Sequence, residues 1–287
     1  MTKIEWTDQT WNPVVGCSEV SPGCANCYAR EAARSRRLQQ FPQYQTVKAW
    51  NGTVEFVESQ LLKPVSWKSP QMIFVCSMAD LFHNNVPDEW IDKVMAIAAI
   101  CPRHTFQILT KRPERMRAYF ADPNRARWIC DRALDLLRDE ENPLKWKLPI
   151  AQFEVKIPLP NVWLGTTVEN RKAIARIPAM RDTPSVLRFL SCEPLLEDLG
   201  DLPLTGIDWV IVGGESGSRA RLCKVEWIRA IVEQCDRAGT PVFVKQPGCN
   251  TDASASRQNK LELLPDRLQL QQFPEVYVNK MVRNAQL

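Results

Sequence analysis

Histidine is nearly missing from this chain. His83 and His104 are the only two among 287 residues, which excludes a site built on three imidazoles and argues against a histidine-centred nucleophile triad. Glycine is also scarce, at 11 residues. The one dense stretch, Gly213-Gly-Glu-Ser-Gly217, lacks the lysine of a Walker loop and the GxGxxG spacing of a dinucleotide fold. Long apolar runs are absent too. The longest, Val94 to Cys101, has eight residues where a bilayer span needs about twenty. The opening MTKIEWTDQTW carries no apolar signal region, so a soluble, cytoplasmic protein without a membrane partner is expected. Neither sign of charge dominates. With 37 Lys and Arg against 33 Asp and Glu, a net charge of +4 does not by itself demand a nucleic-acid partner.

What is present describes a globular chain. A hydrophobic share of 45% supports a sizeable core, and α/β barrels routinely occupy about 250 residues as one domain. Short apolar runs predict strands over Val54–Val57, Met72–Cys76, Thr105–Leu109, Val162–Gly165, Ser185–Leu190, Trp209–Val212 and Pro241–Val244, with Val14 and Val15 ending an earlier one. Most are continuously apolar, as parallel strands buried on both faces are. Helical patterns cover Ala29–Leu38, Pro87–Ile100, Pro123–Arg138 and Lys224–Ala238, the last closed by Gly239. Alternating β and α elements predict a parallel (βα) barrel, full or partial, over residues 1–249, with a proline-rich insertion at about 140–160. The polar, then Leu- and Gln-rich stretch 250–287 reads as an extension packed on the barrel or partly mobile. Polar groups follow each strand: Asp80, Lys111, Glu169, Glu193, Glu215 with Ser216, and Lys245. In a barrel such ends converge on one face, where catalytic groups sit.

The ten cysteines are read as reduced thiols, since the chain is long enough to need no disulfide scaffold. Cys17, Cys24 and Cys27 fall within eleven residues, and Pro22-Gly23 supplies a turn between them. Three thiolates can converge on one metal centre, and a 4Fe-4S cubane held by three cysteines keeps one iron free to bind a substrate or cofactor. Zinc completed by His83 or Cys76 is the alternative metal. The remaining cysteines stand singly in apolar segments, as buried structural thiols do.

The three-cysteine loop after an early strand resembles the radical S-adenosylmethionine (SAM) superfamily. Together with WTDQTWNPVVGC, GCANCYA, SMADLF, LTKRPERM, NVWLGTTVEN, SCEPLL and DWVIVGGESG, it also resembles the phage-associated three-Cys-motif protein family, over most of the chain. The resemblance implies a radical SAM-type barrel, a 4Fe-4S cluster on Cys17, Cys24 and Cys27, bound SAM, an external electron donor, and a separately encoded partner protein. It also implies ligand binding by the Gly213, Gly214, Glu215 and Ser216 loop. From their places after strands, Asp80, Lys111, Glu169 and Glu193 are candidate contacts to SAM or substrate and Cys192 a candidate hydrogen-atom donor to a substrate radical. A nucleic acid or nucleotide is the expected substrate. Arg30, Arg34 and Arg37 recur at i, i+4 and i+7 on the helix after the cysteines, and Lys111, Arg112, Arg115 and Arg117 make a second basic cluster. The competing function is a zinc-stabilised nucleic-acid-binding or partner-binding module without catalysis.

Overall fold

The structure, a computed structural model, describes residues 4–139, 153–253 and 259–275. In chain order the elements are β1 (Gln9–Trp11), β2 (Val14–Val15), α1 (Tyr28–Ala33), α2 (Pro42–Thr46), β3 (Glu55–Phe56), α3 (Glu58–Leu61), α4 (Lys63–Ser66), β4 (Met72–Val75), α5 (Asp88–Ile100), β5 (Thr105–Thr110), α6 (Pro113–Phe120), α7 (Arg125–Arg138) and β6 (Val162–Thr167). There follow α8 (Ile177–Asp182), β7 (Arg188–Cys192), β8 (Trp209–Gly213), α9 (Val225–Ala238) and β9 (Val242–Gln246). They divide into two compact units. The first takes 1–165 with 182–186, the second 166–181 with 187–287, and the break falls inside β6.

In the first unit the strand order is β1-β4-β5-β6, with β1, β4 and β5 parallel. In the second it is β6-β7-β8-β9, with β7, β8 and β9 parallel. The chain is therefore α/β with parallel strands. Every residue of β4, β6 and β8 is buried, which explains the unbroken apolar sequences of β4 and β8 and the VWLG run that opens β6. Helix ends follow local chemistry. Asp88 and Glu89 sit in the first turn of α5, where they complement the positive end of the helix dipole. Gly239, at φ 65°, closes α9 in the left-handed conformation that glycine adopts without steric cost.

Several sequence expectations are corrected. The first parallel strand is Gln9–Trp11, while Val14–Val15 pairs antiparallel with Glu55–Phe56 in a separate two-stranded ribbon. Pro13 has no amide to donate to a ladder, and its carbonyl instead accepts the Val57 amide at 2.8 Å. The run Val54–Val57 thus stays out of the parallel sheet. The helix expected over Ala29–Leu38 stops at Ala33, because Ser35 Oγ accepts the Leu38 amide at 3.3 Å and restarts the backbone as a short 3-10 turn. The strand expected from Ser185 begins at Arg188. Helix α6 was not expected. Its sequence PERMRAYF has little apolar periodicity, and Pro113 in its first turn is the one starting signal.

Of the expected insertion, residues 140–152 lie outside the described residues, and 153–160 form no helix or strand. The described part of the C-terminal extension from residue 259, 259–275, packs within the second unit. The Val244 amide donates to Leu270 O at 2.7 Å and the Gln272 amide to Val242 O at 3.1 Å, while Leu264 and Leu268 enter the unit's apolar core. Among the described residues no helix is long and apolar enough to cross a membrane.

Candidate functional site

In the first unit the cysteine loop begins at Gly16, whose φ of +91° is open to glycine and strained for other residues. Its amide donates to Met78 O at 3.0 Å, and a Cβ there would stand 2.2 Å from Thr53 O, so the chain passes between two fixed carbonyls. Cys17 follows. Cys24 ends a 3-10 turn over Pro22–Cys24, and Cys27 is the N-cap of α1. All three are half-buried and unbridged, whereas Cys76, Cys101, Cys192, Cys223 and Cys235 are buried. Cys17 and Cys27 lie against a small core that includes Val15, Ala29, Trp50 and Met78.

Beside Cys17 stands Asp80, delivered by the loop after β4. Its carboxylate is saturated. Oδ1 accepts from Thr110 Oγ1 at 2.7 Å and the Phe82 amide at 3.0 Å, and Oδ2 from the Lys111 amide at 3.1 Å and Arg112 Nη1 at 2.8 Å. The residues following β4 and β5 are thereby locked to each other. Arg112 also donates from Nη2 to Ser18 O at 3.3 Å and Ser18 Oγ at 3.1 Å, with Nη1 3.9 Å from Cys17 Sγ. Burial and the nearby Asp80 charge push the Cys17 thiol up to about 11, against the pull of Arg112. A metal bound there has to displace that proton.

His83 closes the group from the other side. Its Nδ1 accepts the Asn85 amide at 3.1 Å, so the proton of the neutral ring sits on Nε2, which donates to Ser18 Oγ across 2.8 Å. Burial and the Arg112 charge hold His83 below its ordinary value despite Asp80, so the neutral form prevails at pH 7. A ring that donates to a serine cannot take that serine's proton. The Ser18–His83 pair is therefore a positioning contact and not a nucleophile with its base.

The Asp80 brace yields a checkable outcome. In Asp80→Asn the repulsion that raises Cys17 is lost and Arg112 is freed toward sulfur, so Cys17 alkylates faster in mildly alkaline solution than in the parent. Mass spectrometry of iodoacetamide labelling across pH reads this directly. Slower or unchanged labelling at Cys17 contradicts it.

In donor chemistry the loop fits a thiolate-held cluster: three free, half-buried thiols with a guanidinium beside one of them. In spacing it does not. Among the described residues no three His, Cys, Asp or Glu side chains stand together at metal-ligand distances.

Of the three arginines expected on one basic face, Arg30 lies within α1 and Arg34 is its exposed C-cap. Arg30 donates to Glu19 and to Ala25 O, and Arg34 to Lys48 O and Ala49 O at 3.2 and 3.4 Å, so both guanidiniums brace the cysteine loop and its neighbour. Arg37 falls beyond the helix end and is exposed. In the second basic cluster, Arg112, Arg115 and Arg117 pair with Asp80, Asp88 and Asp182. The Lys111 side chain makes no ion pair or hydrogen bond among the described residues.

The other expected contacts lie in the second unit. Glu169 is fully buried against Arg176 at 2.8 Å, Glu193 pairs with Lys245 at 3.1 Å beside Gly213, and Glu215 takes three bonds from Arg221. The glycine loop is built for close packing: a Cβ on Gly214 would meet Pro247 O at 2.1 Å. Its amides are spent internally, Gly214 on Gln246 O and Gly217 on Cys249 Sγ, while Ser216 Oγ accepts from Asn259 Nδ2. Cys192, the candidate hydrogen-atom donor, ends β7 inside the apolar core. It is fully buried with Leu190, Val212 and Cys235, and burial drives its thiol well above the ordinary range.

Sequence reasoning missed Ser18 and His83 as partners of each other and placed Arg112 in a phosphate-attracting basic cluster rather than beside Asp80 and Cys17. The signal was in SMADLFH and LTKRP, two strand exits that each carry one half of an ion pair.

No curated protein and no solved structure matches the chain. The model of one family, described as protein of unknown function (DUF5131), matches residues 1–274. With nearly the whole chain inside that match, this protein belongs to the DUF5131 family.

Proposed function

We propose that the chain is an iron–sulfur enzyme that cleaves SAM reductively and acts on a further substrate, on a barrel of radical SAM type. One observation carries the reading. Of ten cysteines, the three within eleven residues are half-buried and unbridged, and the first of them, Cys17, stands beside the buried Asp80–Arg112 ion pair at the exits of β4 and β5. Cys17, Cys24 and Cys27 would hold a 4Fe-4S cluster. When bound, such a cluster would supply one-electron reduction of SAM, with the electron drawn from an external donor.

The chain's own residues have the following parts in this proposal. Asp80 fixes Arg112, and Arg112 with His83 orients Ser18 and the backbone next to Cys17. Lys111 offers its ammonium to the carboxylate of the cofactor. Glu169, Glu193 and Glu215 are each neutralised within the second unit and are given no cofactor contact. With Arg30 and Arg34 engaged in the loop, the substrate is assigned to no class.

The test is anaerobic purification followed by iron, sulfide and zinc analysis and electron paramagnetic resonance of the reduced protein. About four irons per chain with sulfide are expected. Cys17→Ser, Cys24→Ser and Cys27→Ser each lose them, while Cys130→Ala and Cys235→Ala keep them. Stoichiometric zinc without sulfide would overturn the proposal in favour of a zinc-stabilised binding module.

A further inference from the structure

Away from the strand exits, the second unit carries an open cavity of about 600 Å³ between the last turns of α9, the start of β9 and the chain segment 267–273. Its walls are held by backbone bonds. Thr240 N donates to Cys235 O at 2.9 Å at the end of α9, and along the opposite side Gln272 N donates to Val242 O at 3.1 Å and Val242 N to Gln272 Oε1 at 3.0 Å. Phe273 lines the cavity with its ring 5.5 Å from Trp209 and 5.3 Å from Phe243, so the apolar wall is fixed by stacking.

Two guanidiniums also line it, Arg229 from α9 and Arg267 from the extension. Neither side chain makes a hydrogen bond or ion pair among the described residues, and Arg229 Nε is buried without an acceptor. A buried guanidinium N–H lacking a partner is costly unless something in the cavity supplies the acceptor. Glu233 and Asp236 line the same cavity as exposed carboxylates and offset the two positive charges. That balance disfavours a polyanion and suits a ligand of low charge. The volume is that of a site for a drug-sized molecule and is wasteful for an inorganic anion.

We propose that this cavity binds a small organic anion, a phosphate or carboxylate on a ring-sized apolar body, with Arg229 and Arg267 on the anionic group and Phe273 against the ring. The site is built wholly within the second unit, and the proposal does not depend on the function proposed for the cysteine loop. Calorimetric titration of the full chain with phenyl phosphate, benzoate and inorganic phosphate tests it. One or both aromatic anions bind, and the tighter of the two identifies the anionic group; inorganic phosphate binds about tenfold more weakly or not at all. Arg267→Gln, at an exposed position that leaves folding intact, weakens binding about tenfold, and Arg229→Gln does the same while Arg229→Lys retains part of it. Absence of binding by both aromatic anions at millimolar concentration would overturn the proposal. So would binding unchanged in Arg267→Gln and Arg229→Gln, or inorganic phosphate binding as tightly as phenyl phosphate.

Discussion

Arg125→Ala should lose about 3 to 5 kcal/mol of stability, the cost of stranding buried charge. Arg125, with a side chain 2% exposed, donates to Asp92 Oδ1 at 2.9 Å, Asp88 Oδ2 at 2.6 Å and Tyr119 O at 3.1 Å. Its guanidinium lies 3.9 Å from the Tyr119 ring centroid and 4.8 Å from that of Trp128. Tyr119 in turn donates its hydroxyl to Asp92 at 2.6 Å, so one arginine organises residues of α5, α6 and α7. Removing it leaves Asp92 buried with only a phenol for company. The loss should also change the response to acid. Burial alone would raise Asp88, but Arg115 and Arg125 together hold it below its ordinary value. A carboxyl depressed in the folded state contributes stability above its unfolded value and loses it as pH falls through the folded one. Urea denaturation of the parent should therefore show a decline in the acid range that is shallower in Arg125→Ala. A variant with the parental midpoint at neutral pH would show that the network is dispensable.

Gly16→Ala should remove both stability and the integrity of the cysteine loop. The methyl group would overlap Thr53 O at 2.2 Å and Val47 Cγ1 at 2.7 Å, on a backbone at φ +91°. Left-handed strain alone costs about 1 to 2 kcal/mol, and a backbone oxygen cannot yield as a flexible side chain does, so a total of about 3 kcal/mol or more is expected. Any relief moves Cys17, the next residue. Gly200→Ala is the matched control, since its φ is also positive, at +68°, but nothing lies within 4 Å of the added carbon. Thermal melting should separate the two variants clearly, and metal analysis of anaerobic protein should show the loss in Gly16→Ala alone. Equal behaviour of the pair would mean that the loop entry tolerates displacement.

The parallel α/β class was legible because β4, β8 and the VWLG start of β6 are buried on both faces and spell it in continuous apolar runs. Strand β1 was not, since Gln9-Thr-Trp11 carries one large apolar side chain and draws its place from the partner strand, Gln9 against Ile73 and Trp11 against Val75. The strand exits were recognised as chemically rich, yet the partners within them were not, because Asp80 and Arg112 are 32 residues apart and only the parallel pairing of β4 with β5 brings them together. Arg30 and Arg34 show the opposite failure. Charge at helical spacing suggests a free face, whereas these side chains bind backbone carbonyls and, for Arg30, Glu19 in the cysteine loop, acceptors that helical spacing does not mark.

The segment that bonds along β9 has a role beyond walling a cavity. An outermost strand of Val242-Phe-Val244 character presents unpaired amides and carbonyls to any passing chain, which is how sheets recruit foreign strands and grow into aggregates. Here Leu270, Gln271 and Gln272 occupy those groups in antiparallel fashion, with Gln271 opposite Phe243. A short glutamine-bearing stretch thus acts as a built-in stopper against edge-to-edge association, a guard against self-assembly that the chain carries within itself.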